Sequence, residues 1–175
     1  MKNVFQRYNP VFIIVAIAVI SLGFIIHFET LKPAPAKIQT VLYKKIFSYC
    51  KVLVKDGVNV AVLADDTNPE IDEIIRGFGN IGISVIEVKS EKIYNQSKFN
   101  VLYVAKSSKS IVSQCNSKGI LCLSSTPDDV QENLAALSIY SENNKPKIIV
   151  NMLVLKSQNH EISSEVLKLA TIVGD

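Results

Sequence analysis

The chain has 175 residues, 48% of them hydrophobic and 20% charged, with 19 Lys+Arg against 16 Asp+Glu. That length fits one domain, and a mean hydropathy of +0.25 excludes a disordered chain, whose apolar content could not fill a core. Three cysteines are too few for a disulfide-dense scaffold.

The hydropathy is unevenly spread. Val11 to Phe28 (VFIIVAIAVISLGFIIHF) contains no Asp, Glu, Lys or Arg. Eighteen residues at the helical rise span about 27 Å, close to the thickness of a bilayer's hydrocarbon core. Lys2 and Arg7 precede the run without an acidic residue, so the positive-inside bias predicts a cytoplasmic N-terminus (1–10) and a single-pass inner-membrane anchor (11–28). Ala34-Pro35-Ala36 reads alternatively as a small-x-small cleavage site of a removed signal peptide. Either route exports the remainder of the chain. Residues 37–175 carry 16 Lys+Arg against 15 Asp+Glu, and this near balance offers no general drive toward nucleic acid.

Residues 29–36 read as a short, stiff, Pro-containing linker. Lys37 to Lys55 reads as one amphipathic helix, with Ile38, Leu42, Ile46, Tyr49 and Leu53 as its apolar stripe and Gly57 as its stop. Val58 to Ala64 is a strand ending in Asp65-Asp66. Asn68 then caps a helix that starts on Pro69 and buries Ile71, Ile74, Ile75 and Phe78; Gly77 and Gly79 read as its terminators. Ile83 to Val88 and Val101 to Ala105 are further strands. Ser107 to Lys118 is a short helix closed by Gly119, Ile120 to Leu123 a fourth strand, and Pro127 to Asn133 a turn of helix. Leu137 to Tyr140 and Lys147 to Asn151 flank a hairpin turn. Ser164 to Val173 reads as a final helix, with Val166, Leu169, Ala170 and Val173 on its stripe. The pattern predicts a three-layer α/β domain: a mainly parallel sheet with helices on both faces and an antiparallel edge hairpin, preceded by one transmembrane helix.

The search for chemistry is short. Asp65 and Asp66 end the first strand, where open α/β sheets place functional acids. A receiver-type phosphorylation site would need a further Asp at the end of the third strand, which instead reads Ala105-Lys106-Ser107-Ser108. The stretches Ser107-Ser108-Lys109-Ser110 and Ser124-Ser125-Thr126 are read as turn formers and N-caps. Should the chain bind a small ligand, Asp65, Asp66, Lys106, Ser107 and Ser124 are the candidate contacts, as in one lobe of a periplasmic substrate-binding protein. The two histidines, His27 and His160, match no zinc spacing, and no nucleophile elbow is present. No catalytic residue, metal or cofactor is assigned. In an exported domain Cys115 and Cys122, either side of the turn Asn116 to Gly119, either form a disulfide or serve as small core hydrophobes. Cys50 is the odd one out.

The stretch Val150 to Ala170 (VNMLVLKSQNHEISSEVLKLA) resembles the end of the YfiR-like (YfiR/HmsC) family of periplasmic regulatory proteins. Asn151, Lys156, Ile162, Ser163, Ser164, Leu167, Leu169 and Ala170 fall at that family's positions without a gap, and Asn159 replaces its Gly. Asn is the next-best residue for a left-handed helix end. Leu42-Tyr43-Lys44, Val60 to Asp66 and Val101 to Ala105 are similar to its opening helix, first strand and middle strand. The resemblance implies a non-enzymatic module over 37–175 that binds the periplasmic part of a membrane diguanylate cyclase and represses it, so controlling cyclic di-GMP. It also implies an expectation of dimerisation and of a stabilising disulfide.

Overall fold

A computed structural model describes residues 31–63, 68–89 and 98–174. The expected anchor over 11–28 and the pair Asp65-Asp66 lie outside these residues. Among them, no helix is long and apolar enough to cross a membrane.

The domain is an eight-stranded sheet with helices on both faces. In chain order its elements are β1 (Lys32–Pro33), α1 (Ala36–Phe47), α2 (Lys51–Asp56), β2 (Asn59–Leu63), α3 (Pro69–Asn80), β3 (Ser84–Val88), β4 (Val101–Val104), α4 (Lys109–Lys118), β5 (Leu121–Ser124), α5 (Pro127–Gln131), β6 (Leu137–Glu142), β7 (Lys145–Asn151), α6 (Met152–Ser157), α7 (Ser164–Leu167) and β8 (Ala170–Val173). The strands run β3-β2-β4-β5-β6-β7-β8, with β1 beside the far half of β6. Every pairing from β3 to β6 is parallel; β6 with β7, and β1 with β6, are antiparallel.

Parallel strands covered on both faces must be apolar at every position. Accordingly Val60, Val62, Val101, Tyr103, Leu121 and Leu123 point into one core, and the alternate residues Ala61, Leu102, Val104 and Cys122 into the other. The first core is filled by Tyr43, Ile46 and Phe47 of α1 and Ile71, Ile74 and Phe78 of α3; the second by Ile111 and Cys115 of α4 and Val130 of α5.

Local signals place several ends where the sequence puts them. The Asn68 side chain accepts the Glu70 amide at 3.0 Å and starts α3. Gly119 ends α4 with φ 65°, and Asn159 takes φ 58° after α6. Asn143 and Asn144, with φ 50° and 59°, form a two-residue turn whose twist suits the β6–β7 hairpin.

Several expectations are corrected. The single helix 37–55 is two helices, broken where Cys50 goes extended and pairs with Ile162. The face α1 buries is also rotated: Gln39, Thr40, Tyr43 and Phe47 are buried, whereas Ile38 is 39% exposed. The final helix is one turn long, because Thr171-Ile172-Val173 are β-branched and extend as β8 parallel to β7. That strand, with β1, flanks the hairpin, which is therefore internal to the sheet rather than its edge. Gly77 and Gly79 lie inside α3, and the stop is Gly82 at φ 76°. Residues 32–36 are not a linker: β1 is paired and Ala34 is fully buried.

Cys115 and Cys122 stand as free thiols rather than as the expected disulfide. The left-handed turn at Gly119 folds β5 back so that the Ile120 amide donates to the Cys115 carbonyl at 3.0 Å. The neighbouring Cys115 thiol, followed by burial, pushes the Cys122 thiol well up from its ordinary range.

Candidate functional site

The strand order reverses between β2 and β4, since β2 leads outward to β3 while β4 begins the march to β6. In open α/β sheets the crevice beyond the carboxyl ends at such a switch point receives ligands. The polar residues nearby are therefore the first place to look.

They are engaged with one another. Asp129, on α5, is buried and turns its Oδ2 back to the strand ends. There it accepts the Ser107 amide at 2.6 Å and the Ser124 hydroxyl at 2.5 Å. The Ser107 hydroxyl donates to the Leu134 carbonyl at 2.7 Å, and the Ser125 and Thr126 hydroxyls both donate to the Ala105 carbonyl, at 2.7 and 3.0 Å. Burying a carboxylate is costly unless hydrogen bonds replace its water, and these do so. The loops after β4 and β5 are thus locked together by side chains. Of the candidate ligand residues, the structure brings Ser107 and Ser124 together on Asp129. It leaves Lys106 exposed beside them. Asp129 was not singled out from the sequence; an acid in the first turn of a short helix reads as a helix-dipole partner, and nothing local reveals that it points inward.

A second buried network lies between α1 and the strands. Gln39 is fully buried; its Oε1 accepts the Tyr103 hydroxyl at 2.9 Å, and its Nε2 donates to the Ala34 carbonyl at 2.6 Å and to Glu70 Oε1 at 3.1 Å. Burial, with Glu73 nearby, raises the Glu70 carboxyl above its ordinary value. Beneath it Tyr43, Phe47, Phe78 and Tyr103 form an aromatic cluster with ring centroids 6.1–6.5 Å apart.

His160, which matched no zinc spacing in the sequence, is only 2% exposed. Its Nε2 lies 3.2 Å from the Gly119 carbonyl and its Nδ1 3.5 Å from Cys50 Sγ. The carbonyl can only accept, so Nε2 carries the proton and the Cys50 thiol donates to Nδ1. Burial lowers the His160 pKa and raises that of Cys50. The pair is a seam joining the α1–α2 junction, the turn after α4 and the loop before α7, with neither atom open to a substrate.

On the surface, an apolar groove of about 220 Å³ runs between α1, β7 and α7. Leu42, Ile46, Tyr49, Ile148, Val166 and Leu169 line it, with Lys45 and Glu165 as its charged residues. Leu169 is 76% exposed. The groove exists because the buried face of α1 is rotated from the stripe read in the sequence, which leaves Leu42 half-buried at the outer edge.

The fold is shared with solved structures. The chain aligns with the ABC domain in complex with L-Trp from Streptococcus pneumoniae at 16% identity and a TM-score of 0.58, covering 79% of this chain and 60% of that one. It aligns with a conserved domain protein from Vibrio cholerae O1 biovar El Tor at 13% identity and a TM-score of 0.55, covering 81% and 60%. The chain thus spans about 60% of the length of either structure. No curated protein matches it in sequence. The profile of a family described as YfiR/HmsC-like (DUF4154) matches residues 37–171, which takes in β2 to β7, the first two residues of β8 and all seven helices but for the first residue of α1, and the chain belongs to that family.

Proposed function

We propose that this protein is a non-enzymatic regulator, anchored in the inner membrane by residues 11–28 with its α/β domain in the periplasm, that binds and represses the periplasmic part of a membrane diguanylate cyclase. The observation that carries the reading is membership of the YfiR/HmsC-like family over residues 37–171. Two features are consistent with it. The switch-point serines are committed to Asp129, and the surface carries an apolar groove suited to side chains of another protein. Confinement to the bilayer raises the effective concentration of such a partner into the mM range for a short tether. The test is a chromosomal deletion: cyclic di-GMP rises when the gene is removed and returns to its starting level on complementation. Unchanged cyclic di-GMP in the deletion strain sinks the reading.

A second reading, a small-ligand module, is favoured by the likeness to a domain solved with L-Trp. Thermal-shift measurement with L-tryptophan separates the two. A saturable rise in Tm supports ligand binding, and a flat profile at millimolar concentration counts against it for this ligand.

A further inference from the structure

The small-x-small run Ala34-Pro35-Ala36 has two readings in the sequence, a signal-peptidase site or part of the mature fold. A peptidase pocket demands small residues because it is narrow. A packed core demands them for the same reason. The structure gives the second explanation in full. Lys32 pairs with Ser141 and Pro33 with Tyr140, which places β1 along β6. The Ala34 amide donates to the Ile139 carbonyl at 3.2 Å. Ala34 is 0% exposed and Ala36 3%. The Ala34 carbonyl is an acceptor for the fully buried Gln39 side chain at 2.6 Å, and the Pro35 carbonyl accepts the Ile38 and Gln39 amides of the first turn of α1 at 2.8 and 3.0 Å. Leu31 packs against the second core.

We propose that the mature protein keeps residues 31–36 as the first strand of its sheet, and that the chain is not processed at Ala34 or Ala36. A cut after Ala36 would remove β1 and free the open edge of β6 beyond Tyr140. It would also deprive Gln39 of an acceptor inside the core and put a charged ammonium at Lys37, where the first turn of α1 now finds the Pro35 carbonyl. Both methyls are buried in the core, so the smallness of both is accounted for without a peptidase.

The experiment uses the full chain with a C-terminal tag, expressed in a Gram-negative host, and reads intact mass, carbonate extraction and a cross-link. Lys32→Cys with Ser141→Cys places thiols at registered positions on the surface of β1 and β6. The expected result is a mass that includes residues 31–36 and a disulfide between positions 32 and 141, seen as a two-proton loss of mass, beyond any shown by the chain without the two added cysteines, that reduction reverses. A mature chain beginning at Pro35 or Lys37 overturns the proposal. So does a chain that keeps these residues yet forms no link. A cut upstream of Leu31 that releases a soluble, still cross-linked domain leaves the proposal standing and sinks the anchored reading instead.

Discussion

Asn151 shows how much one buried amide can hold. It ends β7, is fully buried, and caps α6 by accepting the Val154 amide at 3.0 Å. Its Nδ2 donates to the Val130 carbonyl and to Asn133 Oδ1, both at 2.8 Å, which ties α5 to the sheet. A Cβ on Gly174, at φ 68°, would collide with the same amide. Asn151→Ala removes a cap and strands two acceptors, so chemical denaturation is expected to show a loss of about 2–4 kcal/mol. A loss below about 1 kcal/mol would show that water replaces the amide. His160 makes a prediction in pH. Its folded pKa is lowered by burial, while the unfolded chain titrates at about 6.5. Below that pH the unfolded state binds a proton that the folded state refuses, so stability is full above about pH 7 and falls as the pH drops from 6.5 through the folded pKa. Glu70, whose folded pKa is raised, acts in the opposite sense and at more acid pH. Comparing Tm between pH 7.5 and 5 in wild type and His160→Leu isolates the histidine: the variant is expected to lose most of the slope. Parallel slopes in the two proteins would reject this account.

At the scale of elements, the sequence was legible where a local rule decides. Asn68-Pro69 at the start of α3, Gly119 at the end of α4, Asn143-Asn144 in the hairpin and the apolar parallel strands all follow from residues within a few positions of each other. It was illegible where a distant partner decides. The break between α1 and α2 has no Gly or Pro; it is imposed by Ile162, which pairs with Cys50 from 112 positions away. The last strand looks helical by spacing until β7 is there to receive it. The inward turn of Asp129 and the His160–Cys50 seam are likewise visible only once loops far apart in the chain are brought together. The two helical glycines of α3 make the same point and can be tested together. A Cβ on Gly77 would lie 2.8 Å from Thr40 Oγ1 of α1, whereas one on Gly79 meets nothing within 4 Å. Gly77→Ala is therefore expected to cost about 1–3 kcal/mol by forcing the helices apart, and Gly79→Ala to add about 0.5–1 kcal/mol through helix propensity. Urea melts of the two variants check this, and equal effects would mean that the α1–α3 contact is not tight at Gly77.

For the molecule as a whole, the proposed role divides the surface from the interior. Switch-point polar groups are turned inward to brace the strand ends, and the groove beside Leu169 is turned outward. Leu169→Asp changes a side chain that is 76% exposed, so its effect on Tm should be within the small range of surface substitutions. If the groove receives the cyclase, the same variant raises cyclic di-GMP to the level of the deletion strain. Repression at the wild-type level with a folded variant would move the contact to another face.

The hairpin β6–β7 gathers both ends of the domain, with β1 on one side and β8 on the other. In the proposed topology, with the N-terminus held in the cytoplasm, the domain emerges from β1 onward, in the order opposite to its needs. The first strand has no partner until residue 140 has passed, and β7 lacks its outer neighbour until Ala170 to Val173 arrive. Loops this long close slowly. Under the proposed export, folding of this sheet is coupled to the completion of translocation, and during that interval the unpaired β1 and the apolar parallel strands are the segments a chaperone would have to hold.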